Sequence, residues 1–115
     1  MSCVLRISNS TVDKPNSNIS LKPYHAENST KHFPVSEAEF DNFKAQIDDA
    51  IAFLDMHGTD IQLLMAAPGA SGVLDFAIES RDVGMQCDNF PARLVRAAGK
   101  LGLALELSCY PASSN

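Results

Sequence analysis

Three cysteines, three histidines and fourteen carboxylates are the side chains here whose types allow catalysis or metal binding. A nucleophilic cysteine needs a base beside it and surroundings that favour the thiolate. Cys3, Cys87 and Cys109 lie far apart, and none has a histidine near it in sequence. They form no Cys-x-x-Cys pair, so neither a zinc site nor a disulfide framework is expected, and a reducing cytosol fits best. Strand-like alternation around each places it at a core-facing position, where a thiol is inert packing. His25 and His32 share a loop and His57 falls at an expected helix end; solvent or capping roles are expected, with no metal. Gly69-Ala70-Ser71-Gly72 precedes a strand rather than a helix, so no helix N-terminus backs it as a phosphate loop and a turn is expected. Spacing brings no nucleophile, base and orienting group together. No catalytic residue, cofactor or metal ligand is therefore assigned, and the chain is read as a non-enzyme.

Residues 2–8 alternate, with Cys3, Leu5 and Ile7 against Val4 and Arg6, as a half-buried strand does. From Asn9 to Val35 the chain is rich in Asn, Ser, Lys and Pro, which predicts an irregular excursion holding one hairpin. Ser36-Glu37-Ala38-Glu39 has the form of a capping box, followed by an apolar stripe of Phe40, Phe43, Ile47, Ile51 and Leu54. His57-Gly58 is the expected stop, and Thr59-Asp60 recaps a shorter helix with Ile61, Leu64 and Met65 inward. These helices together span about 36–66. Leu74, Phe76 and Ile78 alternate with Asp75, Ala77 and Glu79 in a second strand; Val83, Met85 and Cys87 alternate with Gly84, Gln86 and Asp88 in a third. The short Ser80-Arg81-Asp82 connection makes those two a hairpin. A last helix over 90–101 turns Leu94, Val95, Ala98 and Leu101 inward, and a final strand carries Leu103, Leu105, Leu107 and Cys109 on one face. Residues 112–115 read as a frayed tail.

The order strand, helix, strand, strand, helix, strand predicts an α+β split βαβ sandwich of ferredoxin-like topology over residues 1–111. It has a four-stranded antiparallel sheet and both helices on one face. The first and third strands are expected at its centre, the second and fourth at its edges. Asp48-Asp49-Ala50-Ile51-Ala52-Phe53-Leu54, Leu74-Asp75-Phe76, Arg81-Asp82-Val83, Gln86-Cys87-Asp88, Phe90-Pro91 and Leu105-Glu106-Leu107-Ser108 with Tyr110-Pro111 resemble a family of small bacterial single-domain proteins of unknown function. The resemblance covers roughly residues 36–111 and the Ser2-Cys3-Val4-Leu5-Arg6 start, and it implies no reaction. Residues 9–35 are shorter than the corresponding stretch of that family.

Alternation then assigns the face that no helix covers. It carries Val4, Arg6, Asp75, Ala77, Glu79, Gln86, Asp88, Glu106, Ser108 and Tyr110, four carboxylates against one guanidinium. Arg6 pairing with one or two of those acids is one reading. The other is a docking face for a basic partner, with Arg6, Asp75, Glu79, Gln86, Asp88, Glu106 and Tyr110 as its contacts. The first helix adds Glu37, Glu39, Asp41, Asp48, Asp49, Asp55 and Asp60 against the lone Lys44, either a solvated face or a second docking surface.

The whole chain points the same way. Its 115 residues, 45% hydrophobic and 20% charged, suit one globular domain. A net charge of -5 is the opposite of a nucleic-acid footprint, and the outward residues of the third strand lack the aromatics of RNA-binding domains of this topology. The longest apolar run, Leu63 to Ala67, has five residues where a membrane span needs about 20, and no signal peptide is read at the N-terminus. A cytoplasmic, non-catalytic protein-binding module is expected, most concretely an immunity or antitoxin-like protein that neutralises a basic toxin domain. A small-ligand-binding or regulatory homo-oligomeric domain, homodimer included, is the alternative.

Overall fold

The computed structural model describes residues 1–10, 19–81 and 84–111. Among the described residues, five strands and two helices run in the order β1 (Cys3–Ser8), β2 (His25–Glu27), β3 (Thr30–Ser36), α1 (Phe43–Met65), β4 (Ser71–Glu79), α2 (Ala92–Lys100) and β5 (Leu103–Tyr110). The sheet order is β2-β3-β1-β4-β5. β1 lies antiparallel to both β3 and β4, whereas β5 runs parallel to β4. The fold is α+β, but its sheet is five-stranded and mixed rather than four-stranded and antiparallel.

The difference has a local origin. Residues 84–91 form no strand, and Asp82 and Val83 of the expected third strand lie outside the described residues. β4 is flanked by β1 on one side and β5 on the other, so neither edge is free for a hairpin partner. The second expected strand is thus internal, not an edge. The loop after β4 closes on itself instead: Gln86 Oε1 accepts from the Arg81 amide at 2.7 Å, and the Arg81 guanidinium reaches Asp88 Oδ1 at 3.2 Å. The extra strands come from the 9–35 excursion. Asn28 and Ser29, both at positive φ, make the tight turn that sends β2 into β3, and β3 pairs with β1 over its full length. The expected tail at 112–115 and residues 11–18 lie outside the described residues.

α1 starts later and runs longer than its sequence signals. Ser36 ends β3 as a buried residue; its hydroxyl accepts from the Ala38 amide, but the helix begins only after Asn42, whose Oδ1 accepts from the Ala45 amide at 3.1 Å. Phe40 therefore sits outside the helix and is 42% exposed rather than in the core. Gly58 does not stop the helix. A glycine in a helix costs about 1 kcal/mol, whereas burying Ile61 and Leu64 beyond it is worth roughly 1.5–3 kcal/mol each. Asp60, expected as a second cap, instead accepts from the Ser20 amide and hydroxyl and the Leu21 amide, all at 3.0 Å, tying that segment onto α1.

One core lies between the sheet and the helices. Cys3, Leu5, Ile7, Phe33, Leu74, Phe76 and Leu103 meet Ile47, Ala50, Leu54, Ile61 and Leu64 of α1 and Leu94 and Ala98 of α2. Phe43, Phe76 and Phe90 add edge-on and tilted ring contacts, with centroids 5.3–5.8 Å apart. Both helices thus cover one face, as the alternation requires, and the opposite face of the sheet is open.

Candidate functional site: the open sheet face

The side chains that alternate away from the core build this face. Arg6 on β1 stands at its middle. Its Nη1 donates to Asp75 Oδ2 at 2.9 Å and its Nη2 to Glu106 Oε1 at 2.7 Å. Asp75 and Glu106 are directly opposed in the β4–β5 ladder, a like-charge pair that would repel without the guanidinium between them. Ser108 Oγ donates to the other Asp75 oxygen at 2.7 Å. The hydrogen bond to Asp75 raises the Arg6 pKa above its ordinary value against partial desolvation, and Glu106 adds to the rise. Asp75 is largely covered, at 18% side-chain exposure, whereas Glu106 is half exposed at 51%. The network holds a clamped acid at the centre and an accessible one beside it.

Toward the C-terminal end of β4 the face becomes aromatic. The Glu79 amide donates to the Phe40 carbonyl at 3.1 Å and the Ser80 amide to the Tyr110 carbonyl at 2.7 Å, so the chain on both sides of β4 is fixed. The Phe40 and Tyr110 rings, each about half exposed, lie 6.0 Å apart. Toward β2, His32 stands opposite Arg6 across the β1–β3 pair, with the His25 ring 5.2 Å and the Tyr24 ring 6.1 Å away. Burial, His25 and Arg6 together push the His32 pKa below the ordinary histidine value. His25 Nε2 lies 3.0 Å from Glu27 Oε2, and this contact lowers the Glu27 pKa.

Of the seven residues assigned to a docking face, five stand there: Arg6, Asp75, Glu79, Glu106 and Tyr110. Gln86 and Asp88 do not. With the 84–91 stretch out of the sheet, they tie down the loop after β4, and the Asp88 side chain is only 9% exposed. Arg6 pairs with two of the acids, Asp75 and Glu106, as the pairing reading has it, and Asp75 is engaged on both oxygens whereas Glu106 stays half exposed. Among the five, three carboxylates stand against one guanidinium, and Glu27 on β2 adds a fourth acid to the same face. Sequence reasoning missed Phe40, because the capping signal at Ser36 placed it on a helix, and His32, because it sat in a stretch read as irregular.

The cysteines divide. Cys3 is buried, and desolvation followed by the charges of Asp75 and Asp49 pushes its thiol pKa far up. Cys87 and Cys109 are exposed, against the expected core positions: the first lies in the loop, the second near the end of β5, past the cover of α2. Among the described residues no group of three His, Cys, Asp or Glu could hold a metal ion, and no helix is long and apolar enough to cross a membrane. His57 lies inside α1 with its ring 4.7 Å from that of Phe53 rather than at a helix end.

Of the acids expected on the first helix, Glu37, Glu39 and Asp41 precede α1, and several of the run are engaged locally. Glu37 lies 3.3 Å from the N-terminal ammonium, Asp48 3.0 Å from Lys44, and Asp49 accepts from the Ser36 hydroxyl at 2.6 Å. Between α1 and α2 runs an open groove of about 1000 Å³, with Asp48 and Asp55 on one wall and Arg93, Arg96 and Lys100 on the other. No family model matches the chain, and neither a curated protein nor a solved structure matches it.

Proposed function

We propose that the protein is a non-catalytic binding module that docks a basic folded protein on its open sheet face. Its most concrete form is an immunity or antitoxin-like protein that neutralises a basic toxin domain. The observation that carries this reading is the half-exposed Glu106 carboxylate, oriented by a 2.7 Å bond from a guanidinium that Asp75 already clamps. A carboxylate held this way loses little side-chain freedom on meeting a cation, which is the preorganisation that tight association needs. Glu79 adds a second acid, and the exposed Phe40 and Tyr110 rings supply the aromatic anchors that carry most binding energy in protein interfaces. The net charge of -5 favours fast, electrostatically steered encounter with a basic cleft.

The test replaces Glu79 and Glu106 by Lys and leaves Asp75, which is structural, in place. The variant is expected to fold as the parent does and to lose a basic partner that the parent retains at low salt. Retention unchanged by the double replacement would move the interface elsewhere. The α1–α2 groove favours a second reading, a small anionic ligand held by Arg93 and Arg96; nucleotide or phosphate binding abolished by Arg93→Ala with Arg96→Ala would establish it.

A further inference from the structure

The two edges of the sheet are unequal. β2 is a three-residue strand, short enough to offer little to another chain. β5 is eight residues long, pairs with β4 without a register shift, and holds no lysine, proline or bulge of the kind that protects an edge. The Tyr110 carbonyl points at β4, where it accepts from the Ser80 amide. Main-chain groups alternate along a strand, so Glu106, Ser108 and Tyr110 turn theirs to β4 while Leu103, Leu105, Leu107 and Cys109 aim theirs outward. Above this edge, Leu105 and Leu107 are only partly covered, and Val95 of α2 is 49% exposed.

We propose that this edge joins two copies of the chain, β5 against β5 in antiparallel pairing about a two-fold axis at Leu107, which makes one continuous sheet through both subunits. Outward-aimed residues must face each other for the backbone to bond, which leaves two long registers, with axes at Glu106 and Leu107, and two shorter ones. An axis at Glu106 sets two carboxylates directly opposite, a repulsive pair. Axes at Leu105 and at Ser108 pair only the first and only the last part of β5. An axis at Leu107 pairs nearly all of it: Leu107 meets Leu107, Leu105 meets Cys109, Glu106 faces a serine hydroxyl and Ala104 faces Tyr110. Charge and shape therefore select a second copy in this register, an isologous contact in which each chain presents the same strand. α2 of each copy then comes alongside its mate and covers Val95. The open face keeps its exposure, so this contact is separate from the docking of a basic partner.

Sedimentation equilibrium of the full chain, with no partner present, tests the proposal. The parent is expected at twice the 12.4 kDa chain mass, with Cys109→Lys and Val95→Glu each shifting it to the single-chain mass without loss of the circular dichroism of the fold. Arg93→Glu with Arg96→Glu, on the helix groove, is expected to leave the dimer intact. Register is read by Leu105→Cys in a Cys87→Ser background, where the new thiol faces Cys109 of the other copy at a Cα separation of about 5.5 Å, within disulfide reach. Mild oxidation should give a covalent dimer, whereas the Cys87→Ser chain alone should give none, its two Cys109 residues lying roughly 13 Å apart along the strands. A parent of single-chain mass at all concentrations would overturn the proposal. So would a dimer indifferent to both edge variants, or one that Leu105→Cys fails to cross-link.

Discussion

Arg6 is the side chain on which the open face depends. Replacing it by Met leaves Asp75 with Ser108 as its remaining side-chain donor and sets it unshielded beside Glu106. A loss of about 1–3 kcal/mol is expected in urea unfolding, the range for a largely covered polar group deprived of its partner. Arg6→Lys is expected to recover only part of it, since one ammonium does not present the planar fork that reaches two carboxylates. His32 reports on the same site. Its folded pKa lies below the ordinary value, so the unfolded chain takes up the proton more readily and stability falls as pH drops through the ordinary histidine range. NMR titration should place the His32 pKa below the usual histidine value and show it rising in Arg6→Met, because one of the three causes of the shift is gone. An unmoved value would remove Arg6 from that account. The thiols give a third check. Brief alkylation of the native protein should modify Cys87 and spare Cys3, whose burial both hides it and disfavours the thiolate.

At the scale of elements, what alternation and periodicity could reveal depended on whether a segment had one obvious place to go. β1, β4 and β5 were legible because each carries leucine, isoleucine or phenylalanine on one side only, and α2 because Leu94 and Ala98 repeat at helical spacing. The 83–88 segment shows the same alternation, with Val83, Met85 and Cys87 as its apolar members; Val83 lies outside the described residues, and Met85 and Cys87 are exposed in the loop that Arg81, Gln86 and Asp88 hold together. Period-two patterning reports which side a residue would take if paired, and it is silent on whether a neighbouring edge is free. The β2–β3 hairpin was half legible: a hairpin was expected within 9–35, whereas the polar Thr30 and Lys31 hid how far β3 reaches and that it pairs with β1. The start of α1 was misplaced because Ser36 makes a cap-like bond while still serving as the last residue of β3. α2 ends at Lys100, one residue short of the expected 101, and Gly102 just beyond it adopts φ 73°. Gly102→Ala is expected to cost roughly 1–2 kcal/mol, the strain of a side chain in the left-handed region, read as a lowered unfolding midpoint with unchanged helix content.

For the whole molecule, an acidic surface on one uncovered side of a two-layer fold is the feature that function must explain. Five of the seven residues singled out for docking stand on that face, because strand alternation on β1, β4 and β5 fixed their side. The two that do not lie in the segment whose strand did not form. The central claim, that the acidic open face docks a basic protein, is tested most directly by side-by-side capture from the native lysate on immobilised parent and on Glu79→Lys/Glu106→Lys chains, each read at low and high salt. The parent is expected to retain a basic protein in stoichiometric amount and to release it as salt screens the charges, and the double variant to retain none of it. A partner held equally by both chains, or held by the parent regardless of salt, would contradict it.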